Sequence, residues 1–545
     1  MRAGCAAQGE RPAVIPTPQG AGEDQEETHS GSLAALFEKI NEVDPILQAG
    51  LKAGLLRQAQ QTLPFVVIVD NPGSYLYAIS QWESMIRYPI LWDDGSVESR
   101  ENIARFVRAY KPERVLELND RNGWAMPSGF DARVEQIDRA LAMALNEQAT
   151  DWRVVLGAIR DQGIVSPGVV LTDPGEQAWA GALALAAGRF QPIGYMERPA
   201  RIHALLDPEQ ATQIEVQFEL LARSTGATWN ALGDEIDAIT LAMNTGTQIK
   251  TGAGARDRLA LTDRLGRRDH AGKGPRWAFC GQLIGNEAQS VYRAMCALFL
   301  EVDQAFIWDG YPADHPWSSY DGSEAGKHLE DTGMGVEIHD LPSNGIEEWY
   351  LRQVRPIGSA DGAPGSSLMI LMNSMGSSKR FDLYGGRQEE GYSGDMPMLE
   401  VPGVMHMVHS FSTQLPHNRN TIAARLLERG VYAYVGSVDE PFLSGFVPTP
   451  EIARRFGAGV PFGAAARYTD RDAWKITLLG DPLVTKGSAG RRIEASLDID
   501  SLVDLDERVK ERIKDRDFAG AARSGDARAR QGRGPSRDGA ARSAA

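Results

Sequence analysis

Three polar segments in the second half of the chain carry the residue types of a reactive or recognising site. The apolar run Leu368-Met369-Ile370-Leu371-Met372 stops at Asn373-Ser374-Met375-Gly376-Ser377. Gly403 to Val408 stops at His409-Ser410, and Val431 to Val435 stops at Gly436-Ser437-Val438-Asp439-Glu440-Pro441. A hydroxyl beside an imidazole offers a nucleophile and a base, provided that the base can reach the hydroxyl. Neighbours on a strand point apart, so His409 and Ser410 do not make such a pair by adjacency, and His406 and His409 face opposite sides. What remains is a set of hydrogen-bonding groups at rigid strand ends, where α/β proteins bind ligands. The candidate ligand-binding residues are Asn373, Gly376, Ser377, His409, Ser410, Ser437 and Glu440.

The elements that must hold these groups are strands alternating with helices, which implies parallel pairing and an α/β fold. Phe65 to Val69 reads as a strand, Asp70-Asn71-Pro72-Gly73 as a turn, Tyr75 to Ile86 as helical and Pro89 to Trp92 as a second strand. A helix over Glu101 to Tyr110 and a strand over Arg114 to Leu118 follow, and a helix from Asp44-Pro45 to about Gln60 precedes them. The pattern returns at Val169 to Gly175, with a helix over Glu176 to Ala187 and a strand over Arg189 to Ile193. Two copies imply an internal duplication. After a helical connector from Pro208, strands are expected over Arg258 to Thr262, Trp277 to Cys280, Gln304 to Ile307, Val336 to His339 and Trp474 to Leu479, besides the three named first. Helices are expected over Asn286 to Leu300 and Glu324 to Asp331. The expected plan is a disordered tail over 1–31, a duplicated Rossmann-like parallel-sheet module over 32–225, an α/β domain over 226–490, and a helix with a disordered basic tail over 491–545.

Composition narrows the classes. The chain has 545 residues, 42% of them hydrophobic, enough for several cores, and a formal net charge of −16. Such acidity excludes nucleic acid as the main partner, because phosphate binding needs a concentrated basic surface. No apolar stretch is long enough to span a bilayer, so no transmembrane segment is expected. Cys5, Cys280 and Cys296 cannot form a disulfide framework or a CxxC zinc site. Cys280, which closes an expected strand, and Cys296, on the apolar face of a helix, both read as inert buried thiols, Cys280 being the only one at an exposed-looking strand end and so the one candidate substitute nucleophile among them. His406 or His409 with Asp395, Asp439 and Glu440 lacks any fixed metal-ligand spacing. Gly246, Gly252 and Gly254 around Lys250 lack the order of a phosphate loop, and no GxGxxG opens a helix, so no cofactor is indicated. Arg2-Ala3-Gly4-Cys5 resembles the end of a bacterial lipoprotein signal, which implies the cell envelope or secretion if the chain extends upstream, and otherwise the cytoplasm. Composition alone reads the same residues as part of the tail.

Taken in order, the segments from Asp237 to Leu483 resemble the gingipain-type cysteine peptidases of the caspase-like fold. The residues that carry the resemblance are Thr262-Asp263, Gly281-Gln282-Leu283, Met375-Gly376-Ser377 where the family has His-Gly-Ser, the strand end at His409-Ser410 where it has cysteine, Gly436-Ser437, and Gly480-Asp481-Pro482. The resemblance implies that the two catalytic positions are Met375 and Ser410, the second falling on His409 if the match slips by one. A thioether cannot accept the catalytic proton, and a serine without a base stays protonated. The expected function is therefore a pseudo-peptidase that binds a peptide, protein or cell-envelope component without cleaving it. The alternatives are an active hydrolase rebuilt on Ser410 with His409 or on Cys280, and a structural cell-surface protein. Pro89 to Ser96 and Pro192 to Glu197 are similar to type 2 cell-wall-binding repeats, in which an aromatic-Pro-apolar, acidic, small sequence precedes a helix.

Overall fold

Apolar runs bounded by turn residues become the strands, and polar caps start the helices between them. The computed structural model describes residue 40 and residues 43–119, 123–254, 257–340, 345–384, 390–487, 491–492 and 502–504. The expected tail over 1–31 lies outside the described residues. Within 491–545 the described residues, Arg491–Arg492 and Leu502–Asp504, are strands, and the expected helix and basic tail lie outside them.

The strands used below are Phe65–Val69 (β1), Ile90–Trp92 (β2), Arg114–Leu118 (β3), Gly168–Thr172 (β4), Ile193–Tyr195 (β5), Ala238–Ala242 (β6) and Phe279–Leu283 (β7). They continue with Glu301–Asp309 (β8), Gly335–Asp340 (β9), Ser366–Asn373 (β10), Gly403–Val408 (β11), Val431–Ser437 (β12), Ile476–Leu479 (β13) and Leu502–Asp504 (β14). A ten-stranded sheet runs in the order β9-β8-β10-β11-β12-β13-β7-β6-β4-β5, and a four-stranded one in the order β14-β3-β1-β2. The protein is thus α/β, as its alternating pattern requires.

Polarity divides the large sheet. Strands β9, β8, β10, β11 and β12 are mutually parallel. Strand β13 pairs antiparallel with β12 and parallel with β7, and β7, β6, β4 and β5 then run parallel with one another. The carboxyl ends of the first five strands therefore lie on one edge of the sheet, and those of the last five on the opposite edge.

The two sequence copies do not share a sheet. β1 and β2 of the first copy belong to the small sheet, whereas β4 of the second pairs along its whole length with β6, from Gly168↔Ala238 to Thr172↔Ala242. The boundary expected at 225 falls between strands of one sheet. An all-apolar strand can bury both faces in either setting, so its sequence does not select its neighbour.

Helices close the layers. Pro72–Ser80 (α1) is capped by Asn71 and stops well short of Ile86, and Val97–Tyr110 (α2) is capped by Ser96. Trp179–Arg189 (α3) packs against Glu287–Phe299 (α4), which starts with a reciprocal capping box between Asn286 and Gln289. The α3–α4 approach is close because Gly181 has no Cβ; one there would meet the carbonyl oxygen of Ser290 at 2.7 Å. Tyr75 Oη donates to the carbonyl of Ala180 at 2.6 Å, which ties α1, and the small sheet, to α3. A continuous core runs from β1 through α3 and α4 to β10, β11 and β12, beside a separate cluster that includes Val169, Leu171, Ile239, Leu241 and Cys280.

Candidate functional site

The three segments that opened the sequence reading converge. β10 and β11 are adjacent and in register, with Asn373 opposite Val408. Met375 and Ser410 each lie two residues beyond that pair, so they occupy matching places at neighbouring strand ends. β12, on the far side of β11, brings Ser437 and Glu440 to the same edge.

Most of the polar groups there are already used. Asn373 is buried, its Nδ2 donating to the carbonyl of Tyr320 and its Oδ1 accepting from Thr449 Oγ1 at 2.7 Å. Ser437 is buried too; its Oγ donates to the His409 carbonyl at 2.8 Å and accepts from Phe411 N at 2.9 Å. His409 is 1% exposed, and Nε2 meets the carbonyl oxygen of Arg380 at 3.0 Å, so that nitrogen carries the proton. Burial pushes its pKa down to about 4, and Nδ1 has no partner among the described residues. These three candidates support the loops from inside. Gly376 is exposed, and Ser377, Ser410 and Glu440 are half-buried, so they form the face that a ligand could touch.

Gly376 is needed where it stands. Its φ is +145°, and a Cβ there would meet the Arg380 carbonyl oxygen at 2.2 Å and His409 Nε2 at 3.0 Å. The backbone after Met375 thus packs directly on the His409 ring.

Ser410 takes its partner from elsewhere. Its Oγ donates to Glu440 Oε1 at 2.9 Å, and the same carboxylate oxygen accepts from Phe442 N at 3.1 Å. The rebuilt Ser410–His409 pair is therefore not formed. Two residues in this small region hold strained backbone: Phe411 with φ +65° and Phe442 with φ +57°, out of four non-glycine residues with positive φ among those described. Such strain gathers at binding and catalytic loops.

Both internal thiols are buried, as expected, but the strand-end placement of Cys280 needs correction. Cys280 is the second residue of β7, inside the sheet rather than at an exposed end, and it is fully buried. Burial pushes its thiol up to about 12, which removes it as a nucleophile. Cys296 is buried in α4 as its apolar face requires. His406, in the middle of β11, is buried with both ring nitrogens unpartnered among the described residues, and desolvation drives it down to about 3. Among the described residues no group of three His, Cys, Asp or Glu side chains converges to hold a metal ion. No helix there is long and apolar enough to cross a membrane.

Sequence reasoning missed the neighbour of this crevice. Asp263, expected at the end of a strand over Arg258 to Thr262, instead lies in the short helix Leu261–Arg264 that follows a three-residue strand. Its carboxylate is buried and bonded to Arg276 Nη2, to Arg467 Nη1 at 2.7 Å and to Trp474 N at 2.5 Å. Desolvation pushes its pKa up, but the guanidinium groups of Arg276, Arg467 and Arg267 outweigh that and hold it below the usual carboxylate range. A cavity of about 310 Å³ opens beside it, walled by Pro441, Phe442, Tyr468, Arg471 and Trp474. Arg276 is 13 residues from Asp263 in the chain but Arg467 is 204 residues away, so no local pattern could have joined the cluster.

No family model and no curated protein matches this chain. Among solved structures, one described as a protease is 10% identical and aligns over 60% of this chain and 81% of its own, with a TM-score of 0.35. Another, Phytolacca americana UGT2 complexed with UDP-2fluoro-glucose and pterostilbene, is 12% identical over 85% of this chain and 92% of that one, with a TM-score of 0.15. Both scores are too low to carry an argument.

Proposed function

We propose that the chain is a gingipain-like pseudo-peptidase, which holds a peptide or protein segment, or a peptide-bearing cell-envelope component, at the ends of β10, β11 and β12 without cleaving it. The observation that carries this reading is the placement of Met375 and Ser410. They stand at matching positions of adjacent strands, where the family's chemistry needs an imidazole next to a nucleophile. The thioether has no basic lone pair to offer. The nearby imidazole of His409 is buried, bonded through Nε2 to a carbonyl and pushed down to about 4, so it is a poor proton acceptor at neutral pH. Strained loops remain around Ser410 and Glu440, which fits selection for shape rather than for proton transfer.

The test incubates the full chain with a diverse peptide library and with fluorophosphonate and iodoacetamide probes. Peptide capture without cleavage, and no labelling at Ser410 or Cys280, is the expected result. Capture should be lost in Ser410→Trp, which fills the crevice, and persist in Ser410→Ala. Cleavage or labelling that disappears in Ser410→Ala or Cys280→Ala would replace this reading with the hydrolase one. Absence of any capture would leave the structural reading.

A further inference from the structure

The cavity beside Asp263 deepens the proposed function, on whose peptide-binding reading its biological use rests. Its charge is unusual for a chain of net charge −16. Three buried guanidinium groups, those of Arg267, Arg276 and Arg467, surround the one carboxylate of Asp263. Arg467 spends both terminal nitrogens on Thr262, Asp263 and the Cys280 carbonyl, and its Nε is buried without a partner among the described residues. Arg267, only 1% exposed, uses Nε on the Asp263 carbonyl at 3.0 Å and Nη1 on the carbonyls of Gly274 and Arg471. Its Nη2 makes no hydrogen bond among the described residues, and the side chain lines the cavity. Glu215, which accepts from Arg267 N at 3.3 Å, does not line the cavity, and burial lifts its carboxyl to about 7. Asp472, exposed at the rim, is the remaining acid in the wall.

Excess buried positive charge is expensive unless an anion meets it. Asp263 cannot serve an incoming cation, because two guanidinium groups and Trp474 N already fill its oxygens. The mouth is shaped for something carried on a stem. Arg471 stacks on Tyr468, with its guanidinium carbon 3.5 Å from the ring centroid, and bonds the Ser444 carbonyl through Nη1 at 2.7 Å. Trp474 is pinned across the opening by Nε1 donating to the Pro441 carbonyl at 2.8 Å. Phe442, in the same wall, shares the Glu440 carboxylate oxygen with Ser410, so the cavity and the crevice have a common rim.

We propose that this cavity is a carboxylate-binding pocket, which receives an acidic group of the segment lying in the Ser410 crevice between Arg267 and Arg471. Guanidinium forks match carboxylates in geometry as well as charge, and the flanking rings cover the aliphatic stem. The carboxylate can be an aspartate or glutamate side chain or a chain terminus, and both have the same chemistry.

The test titrates the full chain with fluorescent peptides that carry Glu, Gln or Lys at each position in turn, with free or amidated C-termini. In parallel, N-acetyl-glutamate, N-acetyl-glutamine and sulfate are followed by tryptophan fluorescence, with Trp474→Phe as the control that assigns the signal. A preference of about tenfold or more for Glu over Gln at one position, lost in the exposed-residue variant Arg471→Gln, is the expected outcome. The same preference attached to a free C-terminus supports the pocket and assigns its source. N-acetyl-glutamate binding that needs Arg471, without any peptide binding, supports the pocket and overturns the peptide-binding reading. Equal affinity for Glu and Gln peptides overturns the pocket and leaves that reading standing. Preference for Lys, or sulfate binding as tightly as N-acetyl-glutamate, also overturns it.

Discussion

At the carboxyl ends of β10, β11 and β12 the protein consumes its own polar side chains, whereas on the opposite edge of the same sheet it keeps a titrating one. On the first edge Asn373, Ser437 and His409 are all bonded to backbone carbonyls or to neighbours inside the loops. On the second, after β4, Glu176 is 8% exposed and accepts from Asn244 N and Nδ2. Desolvation lifts its carboxyl to about 7 against the pull of those bonds. A cavity of about 380 Å³ lies alongside, at the ends of β6 and β7, lined by Asn244, Gly285, Asn286, Arg293 and Arg419. Strand-end position alone therefore does not decide what a rim does. It supplies convergence, and the burial of each group against the hydrogen bonds it keeps then settles whether it titrates near neutral pH.

Four perturbations would break or sharpen that contrast. Asp263→Ala should have the largest effect, a loss of roughly 3–5 kcal/mol in unfolding free energy, because it strands two buried guanidinium groups beside the first rim. Urea denaturation at neutral pH measures it, and a loss below about 1 kcal/mol would show that the cluster is solvated.

Glu176→Gln comes next. Because burial raises the folded pKa to about 7, the stability this group contributes is complete below its unfolded value and is lost as pH rises through 7. From pH 5 to pH 8 the native chain should therefore lose stability relative to the variant, by on the order of 1–3 kcal/mol. Parallel slopes for the two proteins would remove the distinction between the rims.

His406→Met acts in the opposite direction. The folded pKa lies at about 3, so the contribution of His406 is present above about 6.5 and is lost as pH falls toward 3. The variant should show a flatter acid limb in denaturation curves between pH 6.5 and 4. An unchanged limb would mean that the ring finds a partner when it protonates.

Ser410→Ala should have the smallest effect, a change of about 1 kcal/mol or less for one half-buried hydrogen bond to Glu440. A much larger loss would mark Ser410 as a structural post of the loop rather than part of an open face.

Much of this architecture can be read from residues. Gly403–Val408 and Arg114–Leu118 were expected with their exact limits, since each is an apolar run closed by turn or polar residues. The helix start at Asn286 was also legible, because capping is a local signal. Strand order was not. β4 could have paired with β1 as its sequence twin, and only contacts with β6 and α3 set its place. The antiparallel entry of β13 is equally silent in its four residues, Ile476-Thr477-Leu478-Leu479. Within the site, the choice between free and spent polar groups depends on partners such as Tyr320, Thr449 and Arg380, which lie 29 to 76 residues away. Cys280 was misplaced because its strand was read as ending, not starting, near it.

Strand β13 has a mechanical meaning as well. It grips β12 through four residue pairs, from Tyr434↔Leu479 to Ser437↔Ile476, but meets β7 at the single pair Gln282↔Leu479, helped by Gly480 N donating to the Gln282 carbonyl at 2.8 Å. The ten strands thus form one sheet whose weakest strand-to-strand join, a single residue pair, lies between β13 and β7. As far as backbone pairing alone resists separation, β13 is held to β12 and the Ser410 edge more firmly than to the strands beyond it.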